Sequence, residues 1–156
     1  MVARRRKKKE GGAALVEFAL MMPLLLLLLF GIVEFGWVLS QNLDVRHGAR
    51  EGARLAAVNY PEGPAPNSGV RSSVRTTALV VEVCARMQTP TNVEVEITSD
   101  GDVGDPAMVR VTAPASTLTG FLDWALPPTL LLNSDVEIRM EQDATWENTA
   151  GPQPCP

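Results

Sequence analysis

"GAALVEFALMMPLLLLLLFGIVEFGWVLS" occupies residues 12–40, and its reading decides the rest of the chain. From Phe18 to Val33 it holds no ionisable side chain. With Glu17 and Glu34 admitted, the apolar segment covers residues 13–39, which is 27 residues. A helix crosses the hydrocarbon core of a bilayer in roughly 20 residues, so this one can span and emerge with turns to spare. A cleaved secretory signal is the competing reading. Such a signal has a shorter apolar core and ends in small residues of an A-x-A type. Here the run ends in Phe35, Gly36, Trp37, Val38 and Leu39, and a retained membrane helix fits better. Pro23 removes one backbone hydrogen bond, a loss that membrane helices tolerate because neighbours satisfy the freed carbonyl.

Charge sets the orientation. Residues 4–9 are six consecutive cations, and no Lys or Arg stands between Phe18 and Arg46. This asymmetry places the N-terminus in the cytoplasm and the body outside. The formal net charge of −4 over 156 residues hides a basic head and an acidic body. Without residues 1–12, eight basic side chains face seventeen acidic ones, a net charge of −9. An acidic body excludes the clustered cations that phosphate binding needs, so no nucleic acid partner is expected. Beyond the apolar run about 110 residues remain, a usual size for one compact domain.

Glu17 is the anomaly in a plain anchor. An ionised carboxylate in hydrocarbon costs a few kcal/mol even on the mildest scale. In one reading it stays wet among the headgroups. In the other the chain is cut after Gly12. Ala13 then carries a new α-amino group, cationic below its reference pKa of about 8, and Glu17 becomes the fifth residue. On adjacent helices such an amine and carboxylate meet at low dielectric, where attraction is strongest. The cut also removes the six cations that hold the head at the inner leaflet.

The basic leader, the glycine, the small residue after it and a glutamate five residues on resemble the processing site of type IV pilins. Residues 12–58 are more closely similar to the TadE-like segment of minor pilins from tight-adherence (Flp) pilus systems. The shared features are Glu17-Phe18, Pro23, the leucine run, Gly31 with Glu34-Phe35, and an Ala/Arg-rich helix through Ala57. The resemblance implies cleavage between Gly12 and Ala13 by a prepilin peptidase, and a pseudopilin needed for pilus assembly. The implied partners are the lipid bilayer, that peptidase and other pilin-type subunits. The alternative is an uncut single-pass anchor that displays an adhesion or scaffold domain outside any filament.

The first helix is expected to continue beyond the membrane through residues 40–58. Gly48 and Gly52 are four apart, as are Ala49 and Ala53, with Ala56 beyond them. Residues four apart share a helix face, so these form a small-residue packing strip. Arg46, Arg50 and Arg54 make a parallel cationic row. Glycine weakens a helix by about 1 kcal/mol relative to alanine, which implies close packing at the strip. The partner is either the chain's own second helix or sheet, the favoured choice, or another subunit. His47 beside the arginines reads as a surface residue. Asp44 with His47 and Glu51 with Arg54 are spaced for local pairs.

Residues 59–69, rich in Pro and Gly, break the helix, and Asn67 or Ser68 can cap a second one. This amphipathic helix is predicted over about residues 68–88, with Val70, Val74, Ala78, Val81 and Ala85 as its apolar row. The period then changes to two. Val93, Val95 and Ile97, then Val109, Val111 and Ala113, then Val136, Ile138 and Met140 alternate with polar residues. These are three half-buried strands. The fold class is α+β and pilin-like: a long membrane helix, a second helix and a small three-stranded antiparallel sheet, with residues 70–156 as the soluble unit. The second helix is the local candidate to cover the sheet. Phe121, Leu122, Trp124 and Leu126 are read as core.

Asp100, Asp102 and Asp105 resemble the start of a calcium loop. The sixth position lacks its glycine, and the twelfth is Val111 rather than glutamate. Turn chemistry explains them better, and no metal or cofactor is expected. Cys84 and Cys155 are an even pair in an exported domain, for which a disulfide is expected. No serine has a plausible base, and Glu17 and Glu34 stand too far apart for acid–base work. The chain is expected to be no enzyme.

Overall fold

The structure, a computed structural model, describes residues 11–60, 71–88, 91–120, 123 and 130–156. The basic leader, most of the 59–69 breaker with Asn67 and Ser68, Val70, and the side chains of Phe121, Leu122, Trp124 and Leu126 lie outside the described residues.

Helix α1 runs unbroken from Gly11 to Ala57, 47 residues, and at 1.5 Å per residue it is about 70 Å long. It passes through Pro23 without ending. Its end is built by Asn59, which takes a left-handed φ of 57°. Asn59 N–H donates to the Ala56 carbonyl (3.0 Å) and Tyr60 N–H to the Leu55 carbonyl (3.0 Å). These two bonds make a Schellman stop, with Asn in the place usually held by glycine. The Asn59 side-chain oxygen also accepts from the backbone and hydroxyl of Thr145, both at 2.9 Å. The breaker therefore ties the helix end to the C-terminal tail.

Helix α2 is Ser73–Ala85. Strands β1 (Glu94–Ser99), β2 (Pro106–Pro114), β3 (Leu131–Arg139) and β4 (Gln153–Pro154) form one antiparallel sheet ordered β3-β2-β1-β4. The three expected strands are present, and β2 and β3 start earlier than their alternation indicated. Pro106 is tolerated because it opens its strand. The fourth strand comes from the tail and pairs Gln153 with Val95. Before it, Thr149 N–H donates to the Ile97 carbonyl (2.9 Å), and Asn148 Oδ1 accepts from Ser99 N–H (2.8 Å). The tail thus closes the edge of β1.

One face of the sheet is dry. Val93, Val95, Ile97, Ala107, Val109, Val111, Ala113 and Leu132 join Val45, Ala49, Ala53 and Ala56 of α1 and Leu79, Val80 and Val83 of α2 in a single core. Two expectations are corrected here. The main cover is α1, which packs on both β2 and β3, while α2 packs chiefly on α1 and β1. The small residues of α1 let it approach the sheet closely and make it the better lid. The buried row of α2 is Thr76, Leu79, Val80 and Val83, whereas Val74 and Val81 are exposed. Both rows are apolar, and the larger Leu79 with Cys84 beside it turns that side inward.

Candidate functional site

The N-terminal half of α1 has no covering. Every side chain from Ala14 to Val33 is exposed apart from half-buried Gly31. The most apolar 18-residue window has a mean hydropathy of 2.5, and none of it is buried in the protein. Residues 13–33 would rise about 30 Å along the axis, the thickness of a hydrocarbon core. A contiguous apolar surface of this size is a membrane or partner surface. It suggests a single-pass anchor in contact with lipid. Gly12 and Ala13 lie at its start, and Glu17 is exposed one turn further on. Among the described residues no partner faces Glu17.

Covering begins abruptly at Glu34, which is fully buried. One carboxylate oxygen accepts from Leu118 N–H (2.8 Å). The other accepts from Thr119 N–H (2.7 Å) and from the Thr119 hydroxyl. Two turns along, Gln41 is also fully buried. Its amide N–H donates to the Ser116 carbonyl (2.7 Å), and its oxygen accepts from Ser116 N–H and hydroxyl, both 3.0 Å. The segment after β2 is therefore fastened along α1 by two polar side chains seven residues apart, which two helical turns place on one face. These contacts give the segment's backbone N–H groups the partners that buried amides require. By sequence Glu34 is a tolerated charge near the end of a span. Its contacts lie about 85 residues away in sequence, and Thr119 carries no motif that reveals them.

The small-residue strip is buried inside the monomer. Ala49, Ala53 and Ala56 are in the core. A Cβ on Gly52 would stand 2.9 Å from Val83 Cγ2 and 3.0 Å from Val109 Cγ1, where α1, α2 and β2 converge. On Gly48 it would meet Met87 Sδ at 2.6 Å. Asp44 accepts the Gln88 N–H (2.8 Å) at the same junction. Around it run surface charges. Arg54 binds Glu51 (2.7 Å), and Arg86 of the α2 cap links Glu82 (2.6 Å) to Glu51 (3.4 Å). The Arg54 hydrogen bond, with the charges of Arg54 and Arg86, holds the Glu51 carboxyl below its ordinary range despite partial burial. Exposed pairs of this kind are worth at most about 1 kcal/mol.

Cys84 and Cys155 stand at disulfide distance, with Cα atoms 5.7 Å apart and a sequence separation of 71. The pair joins α2 to the tail beside β4, and Cys155 N–H donates to the Val93 carbonyl (2.8 Å). Asp100, Asp102 and Asp105 form a turn in which Asp105 N–H donates to the Asp102 carbonyl (3.1 Å). Among the described residues no acidic, His or Cys cluster is arranged to hold a metal ion.

A bare apolar helix, continuous with a small-residue strip under an antiparallel sheet, defines an α+β protein with one candidate membrane-spanning helix. Residues 12–54 match the family model described as TadE-like protein. The match begins at the candidate cleavage position and ends at Arg54, within the packing strip, and so covers 43 of the 156 residues. No curated protein and no solved structure matches it.

Proposed function

We propose that the chain is a minor pilin or pseudopilin of a tight-adherence (Flp-type) pilus, cut between Gly12 and Ala13 by a prepilin peptidase. The observation that carries this reading is the TadE-like match falling on a helix whose membrane half is uncovered and presents Glu17 without a partner among the described residues. After the cut, Glu17 pairs with the Ala13 amine, its own or a neighbour's. The monomer also leaves Gly31 and Gly36 facing open space, with nothing within 4 Å of a Cβ at either. Glycines inside a helix cost about 1 kcal/mol each, and in membranes they serve close helix–helix approach. The strip at Gly48 and Gly52 is occupied within the chain, so subunit contact falls on the membrane half of α1.

In this reading the N-terminus is cytoplasmic and the body extracytoplasmic, where a Cys84–Cys155 bond persists. The chain is a substrate of the peptidase and has no catalytic role of its own. The second reading, an uncut anchor displaying a scaffold or adhesion domain, is favoured by one feature. The body closes its core without another subunit. Glu17→Ala separates the two. It should leave membrane insertion intact and impair pilus assembly. Normal pili from that variant would remove the charge-pair role.

A further inference from the structure

The membrane half of α1 does not end evenly around the helix. On one side Glu34, Val38, Gln41 and Val45 are covered by the body. On another side Phe35, Leu39 and Leu43 are 70%, 51% and 59% exposed. Every fourth residue advances only about 40° around a helix, so these three make one row. It carries the lipid-like surface about 12 Å past Phe35. Arg46 and Arg50 come next on the same side, exposed and without an ion pair among the described residues. Leu118 is 53% exposed, while its own N–H is held by Glu34. An apolar side chain is thereby fixed at the level where the bare stretch ends.

We propose that the body lies down on the outer surface of the bilayer, with Leu118 and the Phe35–Leu39–Leu43 row seated in the lipid interface. The inference rests on the membrane reading of α1, with whose lipid-facing surface the row is continuous. Polar backbone survives at such depth only where protein satisfies it. At four amides of this segment the protein supplies the partner: Ser116 N–H on Gln41, Leu118 and Thr119 N–H on Glu34, and Ala115 N–H on the Leu130 carbonyl (2.8 Å). The occupant is phospholipid. Leu43 meets the acyl boundary, and Arg46 and Arg50 extend their long stems to phosphate, as cations near helix ends do. Glu34 then has a second duty: it lets a loop that leaves the sheet sit beside the helix at the membrane surface with its Leu118 and Thr119 amides paired.

The test uses the full chain in phosphatidylcholine/phosphatidylglycerol vesicles, left unreduced, with a nitroxide on one introduced cysteine at a time. The sites are Leu118, Leu39, Leu25 as a lipid reference, and Val103, at the opposite end of β2 from Leu118, as a water reference. Collision with oxygen relative to an aqueous nickel chelate should be several-fold higher at Leu25, Leu39 and Leu118 than at Val103. A lipid-like Leu25 with water-like Leu39 and Leu118 would overturn the inference and leave the anchor standing. A water-like Leu25 would overturn the membrane reading itself. Labels at Leu39 and Leu118 shielded from both reagents, and exposed to water when the protein is diluted in lipid, would show a second copy on this face and overturn the inference.

Discussion

Replacing Glu34 by alanine removes the acceptor for two backbone N–H groups and one hydroxyl that are otherwise held against α1. Hydrogen bonds to a charged group are worth about 1.5–3 kcal/mol each, and a buried donor left without a partner costs about 1–3 kcal/mol. Two backbone amides therefore put the loss near 3–5 kcal/mol if the loop stays in place. For a body of this size that would lower Tm by about 4–5 °C per kcal/mol. The loop has an escape, because it can swing into water and hydrate its amides, so this figure is a ceiling on the global loss. Local amide exchange reads the contact itself. In Glu34→Ala the Leu118 and Thr119 amides should lose protection while those of β1 and β2 keep theirs. Glu34→Gln should fall between, since one oxygen can still serve Thr119 while the amide N–H₂ faces the Leu118 N–H. Unchanged protection of Leu118 and Thr119 in Glu34→Ala would refute the reasoning.

The two strip glycines should part company. Gly52→Ala forces a Cβ onto two packed valines, and overpacking of about 1–3 kcal/mol should exceed the ~1 kcal/mol of helix propensity gained. Gly48→Ala meets only the flexible end of Met87 and should be neutral or mildly stabilising; thermal unfolding of both variants in one detergent checks the contrast. Cys155→Ser opens a loop closed over a sequence separation of 71, and should destabilise by about 4 kcal/mol on the loop-entropy account, read by denaturant unfolding without reductant. Because Arg54 depresses the Glu51 carboxyl, the pair's contribution is present above the ordinary value of 4.5 and is lost as pH falls through the lower folded value. The stability difference between the native chain and Glu51→Gln, under about 1 kcal/mol, should therefore vanish in acid below that point and stay flat from pH 5 to 8.

Periodicity carried the large features. The switch from a four-residue repeat through Ala56 to a two-residue repeat at Val93 marks where helix gives way to sheet, and alternation about Val95, Val109 and Val136 gave the right inward faces. It failed where two answers have the same hydrophobicity. In α2 the rows led by Val74 and by Leu79 are both apolar, and only packing against Gly52 and the Cys155 tether separates them. It was silent where structure is made by backbone pairing at long range. β4 is two residues of a Pro-rich tail, and its partner Val95 bears no sign of it. Asn59 was legible only as a breaker residue, although its left-handed geometry is what stops α1. Of the candidate site, Gly12, Ala13 and Glu17 were singled out by the resemblance to pilin processing sites, with a spacing that makes the cut plausible. The role of Glu34 was hidden because its donors are mostly backbone amides, which every sequence has.

The central claim is that α1 is freed at Ala13 and pairs its new amine with Glu17 in the membrane. Intact mass of the protein extracted from its native membrane tests this most directly. A chain beginning at Ala13, without the cations of residues 4–9, is the predicted result. A chain that still carries those cations at steady state would contradict the claim, and would leave a tethered domain whose Glu17 has no amine to meet.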